Sequence, residues 1–418
     1  MLVESQKERL RKLSEIIYKA SKKVKILKHI SWPVEIKQEF FNQNCQKLPK
    51  YTYPSYDYSE LNELLKKTVK YFGDTKYDLW LRDKIDDIKQ SAELISVCGT
   101  KKFFDISSNI YGLPTTLIHD GETKPIDLYH QFDKIIKSID KSRLKFESNI
   151  EISSEELASR ISKKLENYFN LSAPKVMVVE NLSAKATATS KYIKIRKGGT
   201  FFQSDVDQLL NHEAYVHVAT TINGKIQSGM KILASNYGAV TKTQEGLAVF
   251  SEFITGSMDI KRLRRISDRV KAIQMSIEGA NFIDVYRYFI ERGVSKGQAF
   301  ESSRRVFRGG VISGGAPFTK DLVYLDGFIR TYNFLRSAIS EGKTECIEIL
   351  FSGKMDLDDV PIVYNMYKDG IVKKPSYIPP WATDINYLVC FLTFSVFLED
   401  INYSNVAKYY DSLLKNVK

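Results

Sequence analysis

The chain has 418 residues, 43% hydrophobic and 27% charged, a balance that excludes a disordered polymer and gives enough length for two or three packed subdomains. Its net charge is +12 and its pI about 9.2, so an acidic partner is a sharper alternative to a merely solvated basic surface. No zinc-finger spacing or aromatic RNA-binding motif occurs, which leaves nucleic acid outside the expected partners.

The N-terminus, MLVESQKERLRKL, lacks the apolar core of a signal peptide. Residues 1–150 read as a helical region, with Leu10, Leu13, Ile16 and Ile17 at helical spacing and amphipathic stretches at 58–72 and 83–97. His119 and His130 lie among glycines and prolines and read as ordinary. The four cysteines, Cys45, Cys98, Cys346 and Cys390, are far apart without a CxxC pair, so a reducing cytoplasm is expected rather than a disulfide framework.

The pattern changes after residue 150. Residues 153–169 read as a helix capped by Ser153 or Ser154, with Glu155 and Glu156 in the first turn. KVMVV (175–179) and KYIKIR (191–196) read as strands, the second alternating basic and apolar residues. A helix then follows with Ser204 as N-cap and Asp207 at the capping-box position, stopping at Asn223–Gly224. Another begins near Gln244. The basic cluster Lys261, Arg262, Arg264 and Arg265 reads as surface. Residues 341–418 form a C-terminal helical region. Its apolar run YLVCFLTFSVFL (387–398) is too short to span a bilayer, and a buried core helix is expected.

The chemistry concentrates on the helix after the second strand. It carries His212, Glu213 and His217 in an HExxxH arrangement. Ligands i and i+4 on an α-helix differ by roughly 40° and share a metal readily, whereas i and i+5 differ by roughly 140°. The spacing therefore predicts a π-type distortion between Ala214 and His217. Only five histidines occur in the chain, and two sit here beside an acid. Glu245, 28 residues beyond His217, supplies a third ligand on the next helix. Two His and one Glu make a catalytic rather than a structural zinc set, and Glu213 is placed to act as general base on zinc-bound water. A strand edge beside such a helix can hold an extended peptide.

The segments LLNHEAYVH, TTINGKIQ and TQEGLAVFSE, followed by RVFRGG (305–310) and FTKDLVYLDGF (318–328), resemble the QEGLA-motif family, known as flavohemoglobin expression-modulating proteins. That family includes the microtubule-associated tyrosine carboxypeptidases, which remove the C-terminal tyrosine of α-tubulin. The resemblance covers roughly residues 150–340. It implies a zinc metallocarboxypeptidase site, with the HExxxH of the family on His212, Glu213 and His217 and its EGLA glutamate on Glu245. The chain has Ala214 and Tyr215 where Ile-Gly is common, which is expected to narrow access to the site.

A carboxypeptidase needs a group for the free C-terminus. Arg305 and Arg308, three apart, are candidates to clasp it from one helical face. Lys320 and Tyr324 are further candidates, the tyrosine also as an oxyanion donor. The reading is an α+β fold, predominantly helical, with a small mixed sheet beside the HExxxH zinc-binding helix and the catalytic region at residues 151–340. The expected activity is zinc-dependent hydrolysis of a C-terminal peptide bond, on a peptide or protein C-terminus, possibly acidic. A zinc-containing regulatory or binding protein without peptidase activity is the alternative, and an aminopeptidase or endopeptidase on the same zinc chemistry is a third reading.

Overall fold

The first helix, Glu4–Ser21, forms because Leu10, Leu13, Ile17 and Ala20 recur every three or four residues, and all four are buried. Helix Lys76–Ser96 starts at Thr75, whose hydroxyl accepts from Asp78 N while Asp78 Oδ2 accepts from Thr75 N at 3.1 Å. Asp78 also takes Arg9, which ties these two helices together. The computed structural model describes residues 2–139, 150–180, 182, 185–399 and 401–415. Over these the chain is α+β and predominantly helical, with short strands in two small sheets.

The strands are β1 (Glu151–Ile152), β2 (Lys175–Val179), β3 (Ala186–Ala188), β4 (Tyr192–Arg196) and β5 (Phe201–Phe202). β4 lies between β2, which runs parallel to it, and β3, which runs antiparallel; β1 pairs with β5. The alternation in β4 buries Ile193 and Ile195 and exposes Tyr192 and Lys194. Helix Ser154–Phe169, capped by Ser153 through Glu156 N at 3.0 Å, lays Leu157, Ile161, Leu165 and Phe169 against those isoleucines.

Two apolar cores result. The smaller is drawn from residues between Ile152 and Ile222, the larger from the N-terminal helices and the chain beyond residue 229. Segment Leu210–Val218 belongs to both: Leu210, Ala214 and Val218 enter the smaller core and Val216 the larger. This placement puts its polar residues on the seam.

Three local expectations are corrected. The helix before that segment, Gln203–Leu209, starts earlier than Ser204 suggests, because Asp205 Oδ2 accepts from Phe202 N at 2.8 Å. Asn223–Gly224 is not a stop, since helix Ala219–Ile226 runs through it. Asn223 instead accepts from Ser376 N and Tyr377 N, and a Cβ on Gly224 would stand 2.3 Å from Leu233 O, so tertiary contacts use both residues. The apolar run forms helix Ile385–Glu399, yet only Leu388 and Leu392 are buried; it packs chiefly on helix Val323–Ser340, and Phe394 and Phe397 stay exposed. Among the described residues no single helix is long and apolar enough to cross a membrane.

Candidate metal centre

Residues Leu210–Val218 form a π-helix, continuous with helix Gln203–Leu209 before it and Ala219–Ile226 after it. The wider turn, with hydrogen bonds spanning five residues, brings His212 and His217 onto one face. Their rings lie 4.9 Å apart, nearly perpendicular. The distortion foreseen from the i, i+5 spacing is present and extends beyond the Ala214–His217 turn.

Helix Thr241–Ile254 runs antiparallel to this segment and carries Glu245. Gly246 fixes its depth: a Cβ there would be 2.2 Å from Gly327 O, and one on Gly327 would be 2.3 Å from Lys242 O. The two glycines let helices Thr241–Ile254 and Val323–Ser340 touch backbone to backbone, which brings Lys320 and Tyr324 to the same place.

Glu245 Oε2 lies 3.6 Å from His212 Nε2 and 3.7 Å from His217 Nε2. These separations are long for N–H···O bonds. They are close to the roughly 3.3 Å between neighbouring ligand atoms around a tetrahedral ion with bonds of about 2.0 Å. This is the one His/Cys/Asp/Glu group of suitable geometry among the described residues. His and carboxylate donors of this kind fit zinc.

The ligand set is held from behind. His212 Nδ1 lies 2.6 Å from Glu252 Oε1, leaving Nε2 to face Glu245. Glu252 is fully buried and is gripped by Arg262 Nε at 2.9 Å and Nη2 at 2.8 Å. Burial pushes the Glu252 carboxyl up, but Arg262 and His212 hold it down at about 2. Burial likewise opposes charge on His212, yet Glu245 and Glu252 raise it to about 10. Glu245 stays ionised despite burial, because Lys320 and the two histidines favour its charge. A carboxylate behind a metal-facing histidine fixes its tautomer and orientation. Glu252 was not among the residues singled out from the sequence; its signal was its place on the Glu245 helix, two turns further on.

Glu213 is partly exposed beside His212 and makes no hydrogen bond or ion pair among the described residues. Tyr215 does not narrow the site as expected, because it packs on Tyr168 in the smaller core, with ring centroids 4.6 Å apart.

On the other side of Glu245 the charges are cationic. Lys320 Nζ donates to Glu245 Oε1 at 3.2 Å. The Tyr324 ring has Arg262, Arg269, Arg305 and Lys320 within 5.1–5.9 Å of its centre. Arg305 donates to Asp321 through Nε at 2.5 Å and Nη2 at 2.7 Å, and to Tyr324 Oη at 3.2 Å. Arg308 does not share a helical face with it: the helix ends at Phe307, and Arg308 is the extended cap residue, buried, with Nε unpartnered among the described residues. Burial lowers Arg265, Arg269 and Arg308 each to about 10, and neighbouring arginines add to the effect. The stretch 261–265, expected at the surface, thus sends Arg262 and Arg265 inward.

The match to known proteins is at the level of family. No curated protein matches the chain. The family model described as microtubule-associated tyrosine carboxypeptidase matches residues 38–400, reaching well beyond the 150–340 stretch in which the motifs are visible. The chain belongs to the microtubule-associated tyrosine carboxypeptidase family.

Proposed function

We propose that the chain is a zinc-dependent carboxypeptidase whose ion is held by His212, His217 and Glu245, with residues 151–340 carrying the chemistry. The observation that supports this most is the convergence of those three ligand atoms beside a carboxylate, Glu213, that makes no hydrogen bond or ion pair among the described residues. Bound there, zinc would supply a water of lowered pKa and polarise the scissile carbonyl. Glu213 takes the proton of the attacking water and passes it to the leaving amine as the C–N bond breaks. Tyr324 accepts from Arg305, which leaves its own O–H to donate to the developing oxyanion or to a carboxylate.

The cationic side favours a free C-terminus. Six cations (Arg262, Arg265, Arg269, Arg305, Arg308 and Lys320) lie around the buried carboxylates Glu245, Glu252 and Asp321, with the exposed Asp259 also acting on Arg265. Among the described residues Arg265 and Arg308 make no ion pair and Arg269 shares Asp321 with Arg305, so a terminal carboxylate or an acidic tail would supply counter-charge. β3 forms an edge of its sheet and packs against the π-helix, so its free side offers backbone pairing to an extended peptide. The test is a library of peptides with free or amidated C-termini incubated with zinc-loaded protein. Release of one residue from the free-acid peptides alone, lost in Glu213→Gln, is expected. Internal cleavage, or equal cleavage of the amides, would replace this reading with an endopeptidase.

A further inference from the structure

The π-helix, with the helix Ala219–Ile226 that continues it, meets helix Thr241–Ile254 at three levels. His212 meets Glu252 at one end, His217 meets Glu245 in the middle, and Thr220 meets Gln244 at the other end. The last pair lies three residues after one ligand and one residue before another. Both side chains are buried.

Thr220 Oγ1 is 2.7 Å from Val216 O and 2.8 Å from Gln244 Oε1. A hydroxyl has one hydrogen and cannot donate to both. Turning the Gln244 amide about makes Nε2 the donor to Thr220, which then donates to Val216 O. Nε2 otherwise has no partner among the described residues, an expensive state for a buried amide. The resulting chain, Gln244 to Thr220 to the Val216 carbonyl, ends inside the widened turn, next to His217. A neighbouring bond, Thr221 Oγ1 to His217 O at 2.6 Å, stays within the one segment and does not cross to the other helix.

We infer that Thr220 and Gln244 are positioning residues for the metal centre: their hydrogen bond ties the two ligand-bearing helices and sets the distance from His217 to Glu245. The inference rests on the metal reading above. Its role is separate from that of Glu252, which orients His212 only. Removing an outer partner of a ligand typically lowers metal affinity about 10–100-fold.

The experiment measures zinc affinity by chelator competition, with the visible spectrum of the cobalt-loaded protein as a report on coordination geometry. Thr220→Val and Gln244→Leu should each weaken binding about 10–100-fold and alter the cobalt spectrum, and the double variant should be no worse than either alone. Thr220→Ser should restore both readouts. Thr221→Val, which removes a bond of the same kind without the tie, should leave them near wild type. A wild type that loads zinc while Thr220→Val binds as tightly, or while Thr221→Val loses as much, overturns the tie alone. A wild type that takes up neither metal overturns the tie and the metal reading together.

Discussion

The two sides of Glu245 are built on opposite charge balances. Toward the histidines, the convergent ligands and their support are paired: His212 has Glu252, Glu252 has Arg262, and Glu245 faces both imidazoles, while Glu213 alone of this group makes no ion pair among the described residues. Toward Tyr324, arginines crowd around one carboxylate, Asp321, which Arg305 already holds at two points and Arg269 approaches at 3.4 Å. Buried cations without counter-charge are costly. On the proposed function, such a fold would separate two tasks, holding a metal and receiving an anion, on either side of one glutamate.

That division can be broken one residue at a time. Glu213→Gln should lower kcat about 10²–10⁴-fold and leave metal content unchanged, as measured by turnover and elemental analysis of the same sample. Glu252→Gln should weaken zinc binding about 10–100-fold, read by chelator competition, while KM for free-acid peptides moves little. Arg308→Gln belongs to the other side. It should raise KM for peptides with a free C-terminus about tenfold, leave zinc affinity unaltered, and cost little stability, because it removes an uncompensated buried charge. Parallel losses of metal and substrate binding in all three variants would show that the two sides are not separable.

Asp321 gives a smaller, pH-linked effect. Burial pushes its carboxyl up, but Arg305 and Arg269 hold it well below the usual range. A depressed folded pKa stabilises above the unfolded value of about 3.9 and loses that contribution as pH falls further. Asp321→Asn should therefore be less stable at neutral pH, and its stability should fall less than that of wild type between about pH 4 and pH 2, in acid titrations followed by circular dichroism.

How much of this was legible in the sequence depended on how local the cause is. The strands at Lys175–Val179 and Tyr192–Arg196 follow from alternation, and the distortion of the π-helix follows from angular arithmetic on His212 and His217. The residues His212, His217 and Glu245 could be named together because histidine is scarce in this chain. Glu252 could not, since glutamate is common and only the fold sets it 2.6 Å from His212. The same holds for Arg262 and Arg265, whose charge reads as surface until the helix Ile260–Ile277 is docked with one face inward. Arg305 and Arg308 do not share a helical face as expected, because periodicity does not reveal that the helix stops at Phe307. Helix Ile385–Glu399 is apolar all round, yet composition does not say how many neighbours a helix will have.

The central claim is that His212, His217 and Glu245 hold one metal ion. The direct measurement is metal content of the purified full-length chain, wild type beside His217→Ala, by elemental mass spectrometry. About one zinc per chain in the wild type, lost in the variant while its circular dichroism is retained, is the predicted result. A wild type that carries no metal even after reconstitution, or a His217→Ala variant that keeps a full complement of zinc, would contradict the account.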